Sequence, residues 1–123
     1  MSFICVIGPC WNNLQLVLHT ISKNREILPG IKKFYIPTND DNTLRYFTEL
    51  NDPSIICTKF ADNEGYQTAC FNAIVFGMKM IIEHEDDNED DIVIFSHEDV
   101  FILDLSLFYN AVQKFQRGYD MVC

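Results

Sequence analysis

The sequence lacks the features that mark secreted, disulfide-bonded and membrane proteins. Its five cysteines form an odd number without a C-x-x-C pair, and most lie in apolar runs, which favours reduced core thiols over a disulfide framework. No apolar stretch approaches the roughly 20 residues that cross a bilayer, and the residues after Met1 show no signal-peptide pattern. The sequence therefore predicts a soluble, cytoplasmic protein.

Positive charge is also scarce in this chain. Nine Lys and Arg residues stand against 18 Asp and Glu residues, which gives a formal net charge of -9. Proteins bind nucleic acids largely by placing Lys and Arg on the phosphates, so this balance argues against a nucleic-acid partner. An anionic small ligand is compatible with the composition if a cation bridges it to the protein.

The chain has the length and the apolar content of one domain, with 123 residues of which 48% are hydrophobic. Its hydrophobic periodicity alternates between strand-like and helix-like segments. Four strands are predicted at Phe3–Ile7, Lys33–Ile36, Ser54–Thr58 and Ile92–Phe95, and Met121–Cys123 looks like the first residues of a fifth. Helices are predicted to begin near Trp11, Leu44, Tyr66 and Leu105. This alternation predicts a single α/β domain over residues 1–123, a Rossmann-like three-layer α/β/α fold with a mostly parallel sheet.

The sequence offers capping residues for two of the predicted helices and an unusually apolar surface on a third. Asn12 or Asn13 is expected to cap the first helix, and Asp104 or Ser106 the last. The helix from Tyr66 is apolar nearly all round, and such a helix needs cover on more than its sheet face. We therefore expect a homo-oligomer, or a domain completed by another chain.

Polar clusters follow three of the predicted strands. They are Gly8-Pro9, the turn Thr38–Asn42 and His97-Glu98-Asp99. Carboxyl ends of parallel strands share one edge of a sheet, and ligands bind there where the strand order reverses. The sequence therefore places all three clusters on one rim.

The His97-Glu98-Asp99 cluster carries groups that can bind a metal. In extended backbone His97 and Asp99 share a face while Glu98 points away. An imidazole and a carboxylate on one side suit Mn²⁺ or Mg²⁺, with phosphate oxygens and water completing the shell. Taken alone, the triplet is also what a strand ending in a polar structural turn looks like.

The ordered set of motifs resembles the nucleotide-binding half of GT-A glycosyltransferases. The segment "NEGYQTACFNAIVFGMKMII" looks like the family's N-x-G loop and long helix, with Asn63, Gly65, Asn72 and Gly77 in place. "IVIFSHEDV" looks like the strand that enters the acidic D-x-D metal motif, with Asp99 matching the second Asp. "FICVIGPCWN" and "FYIPTNDDNT" look like the first two strands with their base-binding loop and acidic turn.

The resemblance implies a nucleotide-sugar donor, held partly through a divalent metal, and transfer of its sugar to an acceptor hydroxyl. Asp99 would be a metal ligand, with His97 or Glu98 assisting, and the metal would be Mn²⁺ or Mg²⁺. The implied nucleotide-binding residues are Gly8, Pro9, Asp40, Asp41, Gly65 and Asn72. The bridging metal would offset the electrostatic repulsion between an anionic donor and a chain with a net negative charge.

Two departures from the family pattern leave a second interpretation open. His97 replaces the first acidic residue of the motif, and the segments correspond only to the donor half of the family's fold. The acceptor half carries the catalytic base in inverting members, so no catalytic residue is assigned. The alternative is a non-catalytic, degenerate or truncated donor half that acts as a nucleotide-binding or assembly module.

Two other function classes fit the sequence poorly. A phosphorelay receiver needs an acidic pair after the first strand and an acceptor Asp after the third, where this chain has Gly8-Pro9 and Lys59-Phe60. A zinc deaminase needs H-x-E followed by P-C-x-x-C, and that signature is absent from the sequence.

Overall fold

The computed structural model describes residues 2–8, 13–59, 66–84, 91–97 and 105–116. Within these ranges strands and helices alternate in the order that the sequence periodicity predicts. The strands are β1 (Ser2–Ile7), β2 (Ile31–Thr38), β3 (Ile55–Lys59) and β4 (Asp91–Ser96), and the helices are α1 (Leu14–Ile27), α2 (Asp41–Leu50), α3 (Tyr66–His84) and α4 (Leu105–Gln116). The predicted strand at Met121–Cys123 and the capping candidates Asn12 and Asp104 lie outside the described residues.

The strands form one parallel sheet in the order β3-β2-β1-β4. Central β1 pairs with β2 on one side and with β4 on the other, where Ile7 lies beside Ser96. The first three strands step outward in one direction, and β4 returns to the opposite side of β1. The predicted α/β class with a Rossmann-like parallel sheet is confirmed.

Helices pack on both faces of this sheet, because its strands are apolar on both sides. One face, which we call the α1 face, is buried by α1 and α2; the α3 face is buried by α3. Core residues of the α1 face are Cys5, Ile7, Val17, Ile21, Phe34, Ile36, Phe47 and Ile55, and those of the α3 face are Ile4, Val6, Tyr35 and Met80. Val112 of α4 packs with Phe3 and Leu28, which places α4 beside α1.

The starts of α1 and α2 differ from the sequence prediction in an informative way. Asn13 occupies the cap position of α1, but its side chain makes no capping hydrogen bond. Helix α2 begins at Asp41 rather than near Leu44, so part of the predicted polar turn is helical. The reason is Asp40, whose carboxylate accepts hydrogen bonds from the Asn42 N–H (3.1 Å) and from the Thr43 hydroxyl (2.6 Å).

Removing this cap is expected to destabilise the domain. We predict that Asp40→Ala lowers the free energy of unfolding by about 1–2 kcal/mol, because two polar groups at the start of α2 lose their acceptor. Asp41→Ala is the matched control, since its side chain is 73% exposed and its ion pair with Lys59 lies at the surface. Urea denaturation of both variants measures the difference. Equal losses would show that charge at the helix start matters and the capping geometry does not.

Helix α3 is buried on one side only within the described residues. Gly77 and Met80 face the sheet, whereas Ile74, Val75, Met78 and Ile82 are exposed by 37% to 76%. The apolar character that the sequence shows all round this helix is therefore left open to solvent on its outer side. Among the described residues, no helix combines the length and apolarity needed to cross a membrane.

Candidate functional site at the carboxyl edge of the sheet

The ends of β1, β2 and β4 meet at one edge of the sheet, as the parallel topology requires. Gly8 follows β1, Asn39 follows β2 and His97 follows β4. The Gly8 N–H donates to the Ser96 carbonyl at 3.0 Å, which ties the ends of β1 and β4 together. The strand order reverses between these two strands, and this edge is where α/β sheets bind ligands.

A cavity of about 130 Å³ opens at this point, between the strand ends and α3. Its lining is Val6, Gly8, Pro37, Ile74, Phe95, Ser96 and His97. Most of these side chains are apolar, and the polar ones come from the last residue of β4 and the residue that follows. The cavity therefore combines an apolar interior with a polar rim, the usual make-up of a small-molecule site.

Two glycines set the shape of the cavity walls. A Cβ atom on Gly8 would lie 2.7 Å from Pro37 Cγ and 3.1 Å from the Pro37 carbonyl oxygen. A Cβ atom on Gly77 would lie 2.7 Å from Val6 Cγ1. Glycine thus lets the end of β1 approach β2, and it lets α3 lie close against β1.

The adjacent residues Asp40 and Asp41, both predicted nucleotide contacts, lie in different environments. Asp40 turns inward as the cap of α2, while Asp41 is exposed and its Oδ1 accepts a hydrogen bond from Lys59 Nζ at 3.0 Å. Asp40 also lies near Cys57, where burial and then the Asp40 charge raise the pKa of the thiol to about 12. Asp41 is consequently the more accessible of the two carboxylates.

Two buried polar residues lie at this edge: Asn39, which sequence reasoning placed in the polar turn after the second strand without assigning it a role, and Ser96, which it did not assign to the site. Asn39 is buried, with 7% of its surface exposed, and among the described residues its Oδ1 has no hydrogen-bond partner. Ser96 Oγ is also buried, and the described chain offers it no oxygen or nitrogen partner beside the weakly bonding thiol of Cys5. Their position directly after or at the end of a buried strand is the sequence signal that identifies them.

Cys5 and Cys57 are expected to resist alkylation. Burial raises the pKa of the Cys5 thiol to about 12, with the Ser96 hydrogen bond opposing the rise, and the Cys57 value is similar. At pH 8 we predict labelling by iodoacetamide at least about a hundredfold slower than for an unperturbed cysteine, because the thiolate is the reactive form. Peptide mapping by mass spectrometry measures both rates.

A matched variant tests the electrostatic part of this prediction. Asp40→Asn removes the negative charge beside Cys57, so the pKa of that thiol falls and its labelling rate rises, while the Cys5 rate stays the same. The chain unfolded in urea should label at both positions at the ordinary rate. Fast labelling of native Cys5 would contradict the buried position.

The structure describes one of the three residues that were predicted to bind a metal. His97 is exposed at the end of β4, whereas Glu98 and Asp99 lie outside the described residues, as do Pro9 and Gly65. Asn72 lies in the first half of α3, the half nearer the strand ends. The described part of the chain brings no three His, Cys, Asp or Glu side chains together in a metal-holding group. Of the three predicted ligands, the described residues thus include one accessible imidazole.

Comparison with known proteins does not assign a family. No protein-family model matches the chain, and a search of curated proteins finds no match. Over the described residues, the fold is α/β with a four-stranded parallel Rossmann-like sheet and a cavity at the point where its strand order reverses.

Proposed function

We propose that this chain binds a nucleotide-sugar donor at the carboxyl edge of its sheet and serves in transfer of the sugar to an acceptor hydroxyl. One observation carries the proposal: the cavity beside Gly8 and His97 lies at the carboxyl ends of the paired strands β1 and β4, where the strand order reverses. Parallel α/β sheets bind nucleotides at that point because the loops on either side turn away and leave a crevice.

The size and lining of the cavity favour one ring of the donor over the whole molecule. An apolar cavity of roughly 150 Å³ accepts a benzene-sized ring, and this cavity is close to that volume at about 130 Å³. The remainder of the donor would lie along the exposed rim, near His97 and Asp41.

The diphosphate is the part of the donor that this acidic chain is least suited to hold. Lys59 already pairs with Asp41, which lowers the positive charge available at the described rim. A divalent cation held by Asp99, with His97 or Glu98, would supply the missing charge and stabilise the leaving diphosphate. This part of the proposal rests on the resemblance of the sequence motif.

In the proposed reaction, the bond between the anomeric carbon of the sugar and the diphosphate oxygen breaks. A new bond forms from that carbon to the acceptor oxygen, whose proton leaves to a base. No described residue is assigned as that base. The acceptor side of the site would come from a second chain or from another segment.

A second candidate function is donor binding without transfer. It is favoured by His97, which stands where the motif has an acidic residue and so leaves the site with less negative charge for a metal. Both candidates bind the same ligand at the same edge. They differ only in turnover, which is measured by release of nucleoside diphosphate with a panel of acceptor sugars.

Calorimetric titration with nucleoside diphosphates, each with and without Mn²⁺, tests the proposal. We expect one nucleotide to bind in a Mn²⁺-dependent way, and Asp99→Ala to abolish that dependence. Glu83→Ala is the matched control, because it removes an exposed acidic side chain at the far end of α3. Absence of binding for every base, with and without the metal, would refute donor binding.

A further inference from the structure

The inner end of the cavity is closed by side chains that pack directly on neighbouring backbone. Val6 and Pro37 are each exposed by at most 2%. Pro37 Cγ would lie 2.7 Å from a Cβ atom on Gly8, and Val6 Cγ1 would lie 2.7 Å from one on Gly77. Because both side chains already touch backbone, they can give way only if β1, β2 or α3 moves as well. The depth of the cavity is therefore fixed by the fold.

A cavity of about 130 Å³ suits a single ring better than two fused rings. An apolar cavity of roughly 150 Å³ holds one benzene molecule. A purine base carries a second ring, which the closed inner end keeps outside. A sugar ring has a suitable size, but its hydroxyl groups point to every side and lose their hydrogen bonds against apolar walls. A pyrimidine base is a single flat ring, and its two faces match the apolar lining.

Asn39 follows the part of β2 that lines the cavity. Pro37 lines the cavity from the α3 face, and Asn39 lies within roughly 7 Å of it, the reach of two residues. Asp40 turns to the opposite side, because its carboxylate accepts from the Thr43 hydroxyl of α2. The backbone at Asp40 is extended (φ -128°, ψ 123°), and in extended backbone adjacent side chains point to opposite sides. The Asn39 side chain is thus on the side of the cavity.

The Asn39 side chain holds a hydrogen-bond acceptor that is not used. It is 7% exposed, and its Oδ1 has no hydrogen-bond partner within the described part of the chain. Buried polar atoms in native proteins are almost always hydrogen-bonded, so an exception needs a physical reason. A donor group on a ligand is such a reason, since a carboxamide oxygen accepts from N–H and O–H groups.

The two carboxylates that follow Asn39 have other partners. Asp40 caps α2 through the Asn42 N–H and the Thr43 hydroxyl, and Asp41 Oδ1 accepts from Lys59 Nζ at 3.0 Å. Asn39 is the residue of this turn that combines burial, an unused acceptor and a position on the side of the cavity.

We propose that the cavity takes a pyrimidine base, with Asn39 Oδ1 accepting a hydrogen bond from an N–H group of that base. Uracil and thymine present a ring N–H, and cytosine presents its amino group, so each pyrimidine supplies the donor. This inference rests on the proposed donor binding and narrows the donor to pyrimidine nucleotides. Purine nucleotides are disfavoured by the fixed depth of the cavity.

Nucleosides without phosphate test the base site separately from the diphosphate and the metal. NMR titration of the full chain with uridine, thymidine, cytidine, adenosine and guanosine gives their affinities. We expect the best pyrimidine nucleoside to bind at least about tenfold more tightly than either purine, because one extra methylene in an apolar pocket already has an effect of that size. Its binding should shift the amide signals of Gly8 and Asn39. Equal binding of a purine, or no shift at these two amides, would overturn the inference.

This experiment fails differently from the titration that tests donor binding. If nucleoside diphosphates bind and purines bind as tightly as pyrimidines, donor binding stands and the pyrimidine site is refuted. If pyrimidine nucleosides bind as expected and no nucleoside diphosphate binds, the base site stands and donor binding is refuted.

A substitution at Asn39 separates a binding role from a structural one. Asn39→Leu keeps the size of the side chain and removes the acceptor, so pyrimidine affinity should fall about tenfold, the effect of one lost hydrogen bond. The urea midpoint should stay the same or rise, because a buried polar group without a described partner is replaced by an apolar one. Asn42→Leu is the matched control at an exposed position of α2, with no change in affinity expected. Unchanged affinity of Asn39→Leu would contradict the assignment, whatever its stability.

Discussion

Ile74→Trp is expected to weaken nucleotide binding by at least about tenfold without unfolding the domain. Ile74 lines the cavity from α3 and is 47% exposed, so a larger side chain can enter the cavity without displacing the core. An indole there would exclude a ring of the ligand, and a tenfold change in affinity corresponds to about 1.4 kcal/mol. Calorimetric titration with the nucleotide that binds the native chain gives the ratio.

The control for this variant lies on the same helix. Ile82→Trp introduces the same side chain at a position that is 76% exposed and does not line the cavity. We expect its affinity for the nucleotide to equal that of the native chain. A chemical-shift change at the Gly8 amide in Ile74→Trp would show that the indole occupies the cavity. If the indole occupies the cavity and the affinity for the nucleotide is unchanged, the nucleotide does not bind in the cavity.

Phe34→Ala is expected to lower the free energy of unfolding by about 3–5 kcal/mol, the range for truncating a buried phenylalanine. Phe34 is 1% exposed in β2 and packs in the core of the α1 face, with the Arg25 guanidinium carbon 5.2 Å from its ring centroid. Domains of this size have a total stability of about 5–15 kcal/mol. The variant should therefore be partly unfolded at moderate urea concentrations at which the native chain is folded.

Two companion variants keep this result interpretable. Phe34→Leu retains most of the buried volume and should cost less than about 1.5 kcal/mol. Leu16→Ala removes an apolar side chain that is 39% exposed on α1, and its effect should stay within about 0.5 kcal/mol. A small effect of Phe34→Ala would mean that the α1 face is not the main core of the domain.

Apolar periodicity along the chain was enough to predict the number, type and order of the described elements. Strand β1 and helix α3 could be predicted because apolar periodicity and breakers such as Gly8-Pro9 act over a few residues. Boundaries were less well determined at α2, where the start depends on whether Asp40 caps the helix. Local pattern alone cannot distinguish Asp40 from its neighbour Asp41, since both are acidic residues after a strand.

The positions of these elements, and the polar residues that they bring together, depend on packing between distant segments. The cavity depends on the approach of Gly8 to Pro37 and of Gly77 to Val6, contacts between segments that are distant in sequence. The position of β4 beside β1 depends on the strand order, which no single segment encodes. Periodicity records which face of an element is apolar, but only packing in three dimensions determines which other element covers that face, and which face stays open.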